Sequence, residues 1–164
     1  MRFVVDGMLG RLARWLRLTG HDAVYVSELP LSNEEQDEFL LARAAEGYIL
    51  LTSDRRLYQK SRRRGFMAAL IQPGDLPAQL LELFRAVPTL EIDLENSRCP
   101  VCNGELREAS PEEVEGSVPA SVRESQEVFW RCTSCGKIYW RGTHWKRILE
   151  TLEEFRRRRV EARA

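Results

Sequence analysis

Two hydrophobic periods interleave along the first ninety residues. Compact apolar runs are separated by segments whose apolar residues recur three and four apart, the mark of strands alternating with helices. Residues 2–5 read as a strand ending at Asp6-Gly7. Over 9–18, Leu9, Leu12, Ala13 and Leu16 share one helical face with Trp15 at its edge, while Arg11, Arg14 and Arg17 share the other, and Gly20 ends the helix. Residues 23–26 are a second strand candidate and 29–33 a loop; Asp37 opens a helix through Glu46, closed by Gly47. Tyr48–Thr52 is the clearest buried strand, followed by a short helix over 54–64. A strand at 66–71, a Pro73-Gly74-Asp75 turn and a helix over 77–85 complete the series, the helix with proline in its first turn. This alternation predicts an α/β fold, a mainly parallel sheet flanked by helices.

Beyond Glu91 the pattern changes. A polar stretch leads to hairpin-like runs at 128–131 and 137–140, then to a charged helix from about Trp145. The expected division is an α/β domain over 1–90, a linker over 91–97, and a small cysteine-bearing unit with its C-terminal helix over 98–164. Within the helix, Glu153 with Arg157 and Glu154 with Arg158 have ion-pair spacing. The length, 164 residues, suits one ordinary domain plus a small one, and 43% apolar residues suffice for a core. No apolar run is long enough to span a bilayer, so no membrane partner is expected. Net charge is zero, which argues against indiscriminate polyanion binding, yet arginines cluster at 11–17, 55–64 and 156–159.

Cys99-Pro-Val-Cys102-Asn-Gly and Cys132-Thr-Ser-Cys135-Gly are two matched knuckles. Each can aim two thiolates at one tetrahedral ion, and the following glycines permit a positive φ that turns N–H groups toward sulfur. Together they predict one structural Zn²⁺ per chain, with 103–131 an ordered insertion. A disulfide scaffold suits a small secreted chain, and no leader-like pattern precedes the first strand, so reduced thiols and a cytoplasmic location are expected. His144 is a spare donor beside a full thiolate shell, or a structural or RNA-contacting residue. Trp130, Tyr139, Trp140 and Trp145 suit either base stacking or the small unit's own core.

In an open α/β sheet, ligands bind beyond the carboxyl ends of the strands. Asp6, Asp37, Asp54 and Asp75 map to that edge. One aspartate at a strand-to-helix junction is ordinarily a cap, the simpler reading of Asp37 and Asp75. Converging carboxylates repel unless a cation lies between them, and Mg²⁺ or Mn²⁺ takes such oxygen ligands and holds phosphate as well. Arg11, Arg14 and Arg17 after Asp6, and Arg55 and Arg56 after Asp54, suit a polyanionic substrate. A solvated helix face is the alternative for Arg14 and Arg17.

The opening Phe3-Val-Val-Asp-Gly-Met-Leu-Gly-Arg-Leu-Ala-Arg-Trp-Leu-Arg17 resembles that of a PIN-like ribonuclease family named for the C-terminal domain of the Mut-seven exonuclease. Asp37-Glu-Phe-Leu-Leu, Ile49-Leu-Leu-Thr-Ser-Asp54 and Gln79-Leu-Leu-Glu82 resemble its next blocks, and the segments 98–106 and 129–145 its zinc ribbon. The resemblance implies a PIN-like fold, RNA as substrate, no organic cofactor, and Asp6, Asp37 and Asp54 as acids for Mg²⁺ or Mn²⁺. It departs at Ser53, where the family carries arginine, and leaves Asp75 outside any matched block. The first functional reading is a metal-dependent ribonuclease, with Arg11, Arg14, Arg17 and Arg55 binding RNA and the ribbon extending that surface. The rival is an RNA-binding adaptor that cuts little or nothing. A phosphoacceptor receiver domain is set aside, because Gly7 rather than a second acid follows Asp6 and no lysine lies near residue 72.

Overall fold

The computed structural model describes residues 1–162; the last two residues of the expected C-terminal unit lie outside the described residues. Four strands, β1 (Arg2–Val5), β2 (Asp22–Tyr25), β3 (Ile49–Thr52) and β4 (Ala68–Leu70), form a fully parallel sheet in the order β2-β1-β3-β4. They alternate with α1 (Gly10–Leu18), α2 (Asn33–Ala45), α3 (Arg55–Arg63) and α4 (Leu76–Ala86). Phe3 and Val5 bury one face of the sheet against Leu12, Leu16, Leu80 and Leu83 of α1 and α4. Val4 and Leu50 bury the other against Leu40 and Leu41 of α2 and Leu57 of α3. Period-two alternation along β1 thus divides the core in two.

The helix that Asp37 was expected to open starts one turn earlier. Ser32 caps α2 in a capping box, accepting from the Glu35 N–H while the Glu35 carboxylate accepts from the Ser32 N–H. Asp37 therefore sits inside the helix, free of any capping duty.

A second sheet, β5 (Leu106–Glu108), β6 (Trp130–Cys132) and β7 (Ile138–Tyr139), is antiparallel. Between β5 and β6 the expected ordered insertion contains α5 (Pro111–Glu115) and α6 (Ala120–Ser125), packed on a core of Val114, Val118 and Phe129.

The polar stretch 91–97, expected as a linker, is pinned to the end of α1. Asp93 N donates to Thr19 O, Ser97 Oγ to Leu18 O and Arg98 N to Arg17 O, so it satisfies carbonyls that a helix end leaves open. The last helix, α7 (Thr143–Glu161), was expected to belong with the cysteine unit; its first turn adjoins that unit, the Arg141 guanidinium lying over both the Trp145 and Trp130 rings, but its later apolar residues pack elsewhere. Leu152 and Phe155 join the α/β core, with the Phe155 ring 4.8 Å from that of Phe84 on α4. Arg158 pairs with Glu154 as its spacing predicts, whereas Arg157 takes Glu154 and Glu161 rather than Glu153. No helix among the described residues is long and apolar enough to cross a membrane.

Candidate active site and metal centre

The two knuckles meet. The sulfurs of Cys99, Cys102, Cys132 and Cys135 all lie within 4.8 Å of one another, with Cys99 to Cys135 at 3.8 Å and Cys102 to Cys132 at 3.4 Å. Zn–S bonds of about 2.3 Å in a tetrahedron place sulfurs about 3.8 Å apart, so the set fits a zinc ion. Burial opposes ionisation of these thiols and pushes Cys102 up, but N–H groups of Cys135 and Ser134 directed at the Cys132 sulfur bring its pKa down to about 6, so Cys132 is the first of the set to offer the thiolate a metal requires. The left-handed turn follows Cys135 at Gly136 as expected, but after Cys102 it falls at Asn103, with φ of 66°. Gly104 serves close approach instead: a Cβ there would stand 2.8 Å from the Cys132 sulfur. His144 is exposed and does not join the thiol group.

The first knuckle is locked to the sheet through a residue assigned to RNA. Arg17 is 1% exposed and makes no outward face with Arg11 and Arg14. Its Nε donates to Ala23 O, its two terminal nitrogens grip the Glu28 carboxylate, and Nη1 also donates to the carbonyls of Pro100 and Val101 between the zinc cysteines. Each three-residue step along an α-helix falls about 60° short of a full turn, so Arg17 has rotated about 120° from Arg11 and reached the buried side. Its role as an RNA contact is withdrawn. Asn103 completes the lock, accepting from Ala23 N and donating to Asp22 Oδ1.

At the carboxyl edge of the parallel sheet, Asp6 follows β1 and Asp54 follows β3. Between them stands Thr52, fully buried, whose hydroxyl donates to Asp6 Oδ2 at 2.6 Å and accepts from Asp54 N at 3.0 Å. Asp6 Oδ1 takes the Gly7 N–H, and Asp54 Oδ1 caps α3 through Arg56 N and Leu57 N. Asp37 comes from α2. It lies at the surface, yet partial loss of water around its carboxyl, then the charges of Asp6 and Asp54, raise its pKa, and Lys60 on α3 counters them. The three aspartates of the sequence reading thus share one field. They do not meet as closely as the thiols: among the described residues only the cysteines bring three or more candidate ligand atoms within 4.8 Å.

Asp75 is engaged elsewhere. It caps α4 through Ala78 N and is gripped by both terminal nitrogens of Arg158, which hold its carboxyl below the usual range. Ser53, where the resembling family has arginine, donates to Ile71 O and ties β3 to the end of β4. Arg11, Arg14 and Arg55 are exposed. Beside Arg55, α3 carries Arg56, Lys60 and Arg63, which with Arg64 just past its end surround one shallow basic depression. Thr52 and Lys60 were missed as site residues. A hydroxyl ending an otherwise apolar strand two residues before Asp54 was the available signal for Thr52.

A family model, the Mut7-C RNAse domain, matches residues 1–152. No curated protein and no solved structure matches the chain.

Proposed function

From the premise that the chain belongs to the Mut7-C RNAse domain family, we propose that it is a divalent-metal-dependent ribonuclease that hydrolyses RNA phosphodiester bonds. The observation that carries this is Asp37. Its helix has another cap, Ser32, and its carboxyl is nonetheless held where partial loss of water, and then the field of Asp6 and Asp54, raise its pKa. An uncompensated cluster of like charges is unfavourable, and a hard cation offsets it.

Asp6, Asp37 and Asp54 are the residues to hold Mg²⁺ or Mn²⁺, which when bound lowers the pKa of a coordinated water and offsets charge at phosphorus. Thr52 fixes Asp6 by hydrogen bond and orients the turn that presents Asp54. The Asp54 cap leaves Oδ2 free for a cation. Arg11 and Arg14 on one side, and Arg55 with Lys60 on the other, bind and orient the phosphate backbone. Residues 1–90 with the packing face of α7 form the nuclease unit, 91–97 a docked connection, and the ribbon over 98–142 carries one structural zinc and extends the RNA surface. Four reduced thiols suit the cytoplasm.

The test is cleavage of labelled RNA with and without Mn²⁺ by the parent and by Asp6→Asn, Asp37→Asn and Asp54→Asn. Each substitution is expected to abolish cleavage while leaving the protein folded. Because asparagine caps about as well as aspartate, full activity in Asp6→Asn would mean a capping role and end the nuclease reading. The wider spacing of the carboxylates favours one second reading, an adaptor that binds RNA without cutting it. It predicts retained RNA binding and no Mn²⁺-dependent cleavage in the parent.

A further inference from the structure

On the α1 side of Asp6, a cavity of about 460 Å³ opens between the start of α1, the end of β2 and the loop before α4. Gly7, Arg11, Arg14, Tyr25, Gly74 and Gln79 line it. Gln79 is 6% exposed, and its side-chain amide has no hydrogen-bond partner among the described residues. Fully enclosed unpaired side-chain atoms occur among the described residues at Trp15, Ser61 and Arg123, not at Gln79, so the amide opens on the cavity. A buried amide facing a cavity is a group awaiting a polar partner.

The walls are fixed. The Tyr25 hydroxyl donates to Gly7 O at 2.6 Å, and a Cβ at Gly10 would stand 2.8 Å from that hydroxyl, so the wall closes up only over glycine. Arg11 and Arg14 form the lip, and the neighbouring acid, Asp75, is already paired with Arg158. Among the described residues neither lip guanidinium forms an ion pair, Arg11 acting on Asp75 only through its field.

We propose that this cavity binds the terminal phosphate monoester of an RNA chain, an inference that rests on the ribonuclease reading. Two arginines match the dianion that a monoester becomes above its second pKa of about 6, whereas an internal phosphodiester carries a single charge. The Gln79 amide can both donate to a phosphoryl oxygen and accept from a P–OH group. Gly7 directly follows Asp6, so a phosphate seated here puts an RNA end beside the carboxylate edge. The enzyme then acts from an end.

The test uses the zinc-loaded full chain and three labelled single-stranded RNAs of one sequence, carrying a 5′-phosphate, a 3′-phosphate or neither, with affinity measured without Mn²⁺. One phosphorylated RNA is expected to bind about tenfold more tightly than the unphosphorylated one, and the preferred end names the source. Gln79→Glu, equal in shape but negative, is expected to erase that difference and leave unphosphorylated RNA bound as before. Should Gln79→Glu fail to fold, Arg14→Gln at the exposed lip must erase the difference instead. Equal affinity for all three RNAs, or a preference that survives these substitutions, overturns the inference. Mn²⁺-dependent cleavage in the same samples reports separately on the ribonuclease reading beneath it.

Discussion

The chain sets out its two candidate metal sites, the thiols and the proposed carboxylates, in opposite ways. The thiols come in pairs from two tight turns, are oriented by their own backbone N–H groups, and close to within 4.8 Å. The carboxylates come singly from the end of β1, from α2 and from the turn after β3, and stay farther apart. Soft ligands in a closed tetrahedron leave no open position, which suits structure; carboxylates are hard ligands, which suit the divalent cation of the proposed hydrolysis. The difference teaches that one site is written in local sequence and the other in topology. Arg17 joins the two regions, since the helix that leaves Asp6 ends by gripping carbonyls between two of the thiols.

Removing a thiol should have the largest effect. Cys132→Ser is expected to forfeit on the order of 10 kcal/mol of zinc-binding free energy and to unfold the ribbon, leaving the α/β core largely folded. Metal analysis with hydrogen exchange of each region checks this; zinc-free protein with a native ribbon would break the comparison. Cys99→Ser should spread further, because its knuckle docks on α1 and β2. Next in size is Arg17→Met, which leaves Glu28 and the carbonyls of Ala23, Pro100 and Val101 without their donor. The expected loss is about 3 kcal/mol or more by denaturant unfolding, with weaker protection at both ends of the lock.

What the sequence disclosed follows the same division. The parallel sheet and the thiol set were legible because each depends on short-range pattern: apolar runs in one case, two-residue spacing in the other. Arg17 was misplaced because arginines three apart look like one face, while the drift of the helix carries the last of them inward. The helix start was placed at Asp37 instead of Ser32, although Ser32 and Glu35 carry capping-box spacing, so the cap reading competed with the acid reading for Asp37. The packing of α7 on α4 depends on contacts between distant segments, which no local pattern encodes; the bond from Thr52 to Asp6 also spans distant segments, and only the hydroxyl's place at the strand end hinted at it.

A smaller effect separates the carboxylates from each other. The Asp37 pKa is raised in the fold, so its ionisation is penalised there relative to the unfolded chain. The penalty is absent below the ordinary carboxylate range and complete once the pH exceeds the raised value. Asp37→Asn is therefore expected to melt at a higher temperature than the parent at neutral pH without divalent metal, with the gain vanishing in acid. Melting curves across that range check it; an unchanged or lower melting temperature at neutral pH would mean that the fold does not penalise the Asp37 charge.

The shared cation itself is the central claim. Mn²⁺ titrated into zinc-loaded protein, followed by the electron paramagnetic resonance of free Mn²⁺, reads its uptake directly. The parent should remove Mn²⁺ from solution and Asp37→Asn should not, with zinc content the same in both. Equal Mn²⁺ uptake by the two proteins would contradict the account.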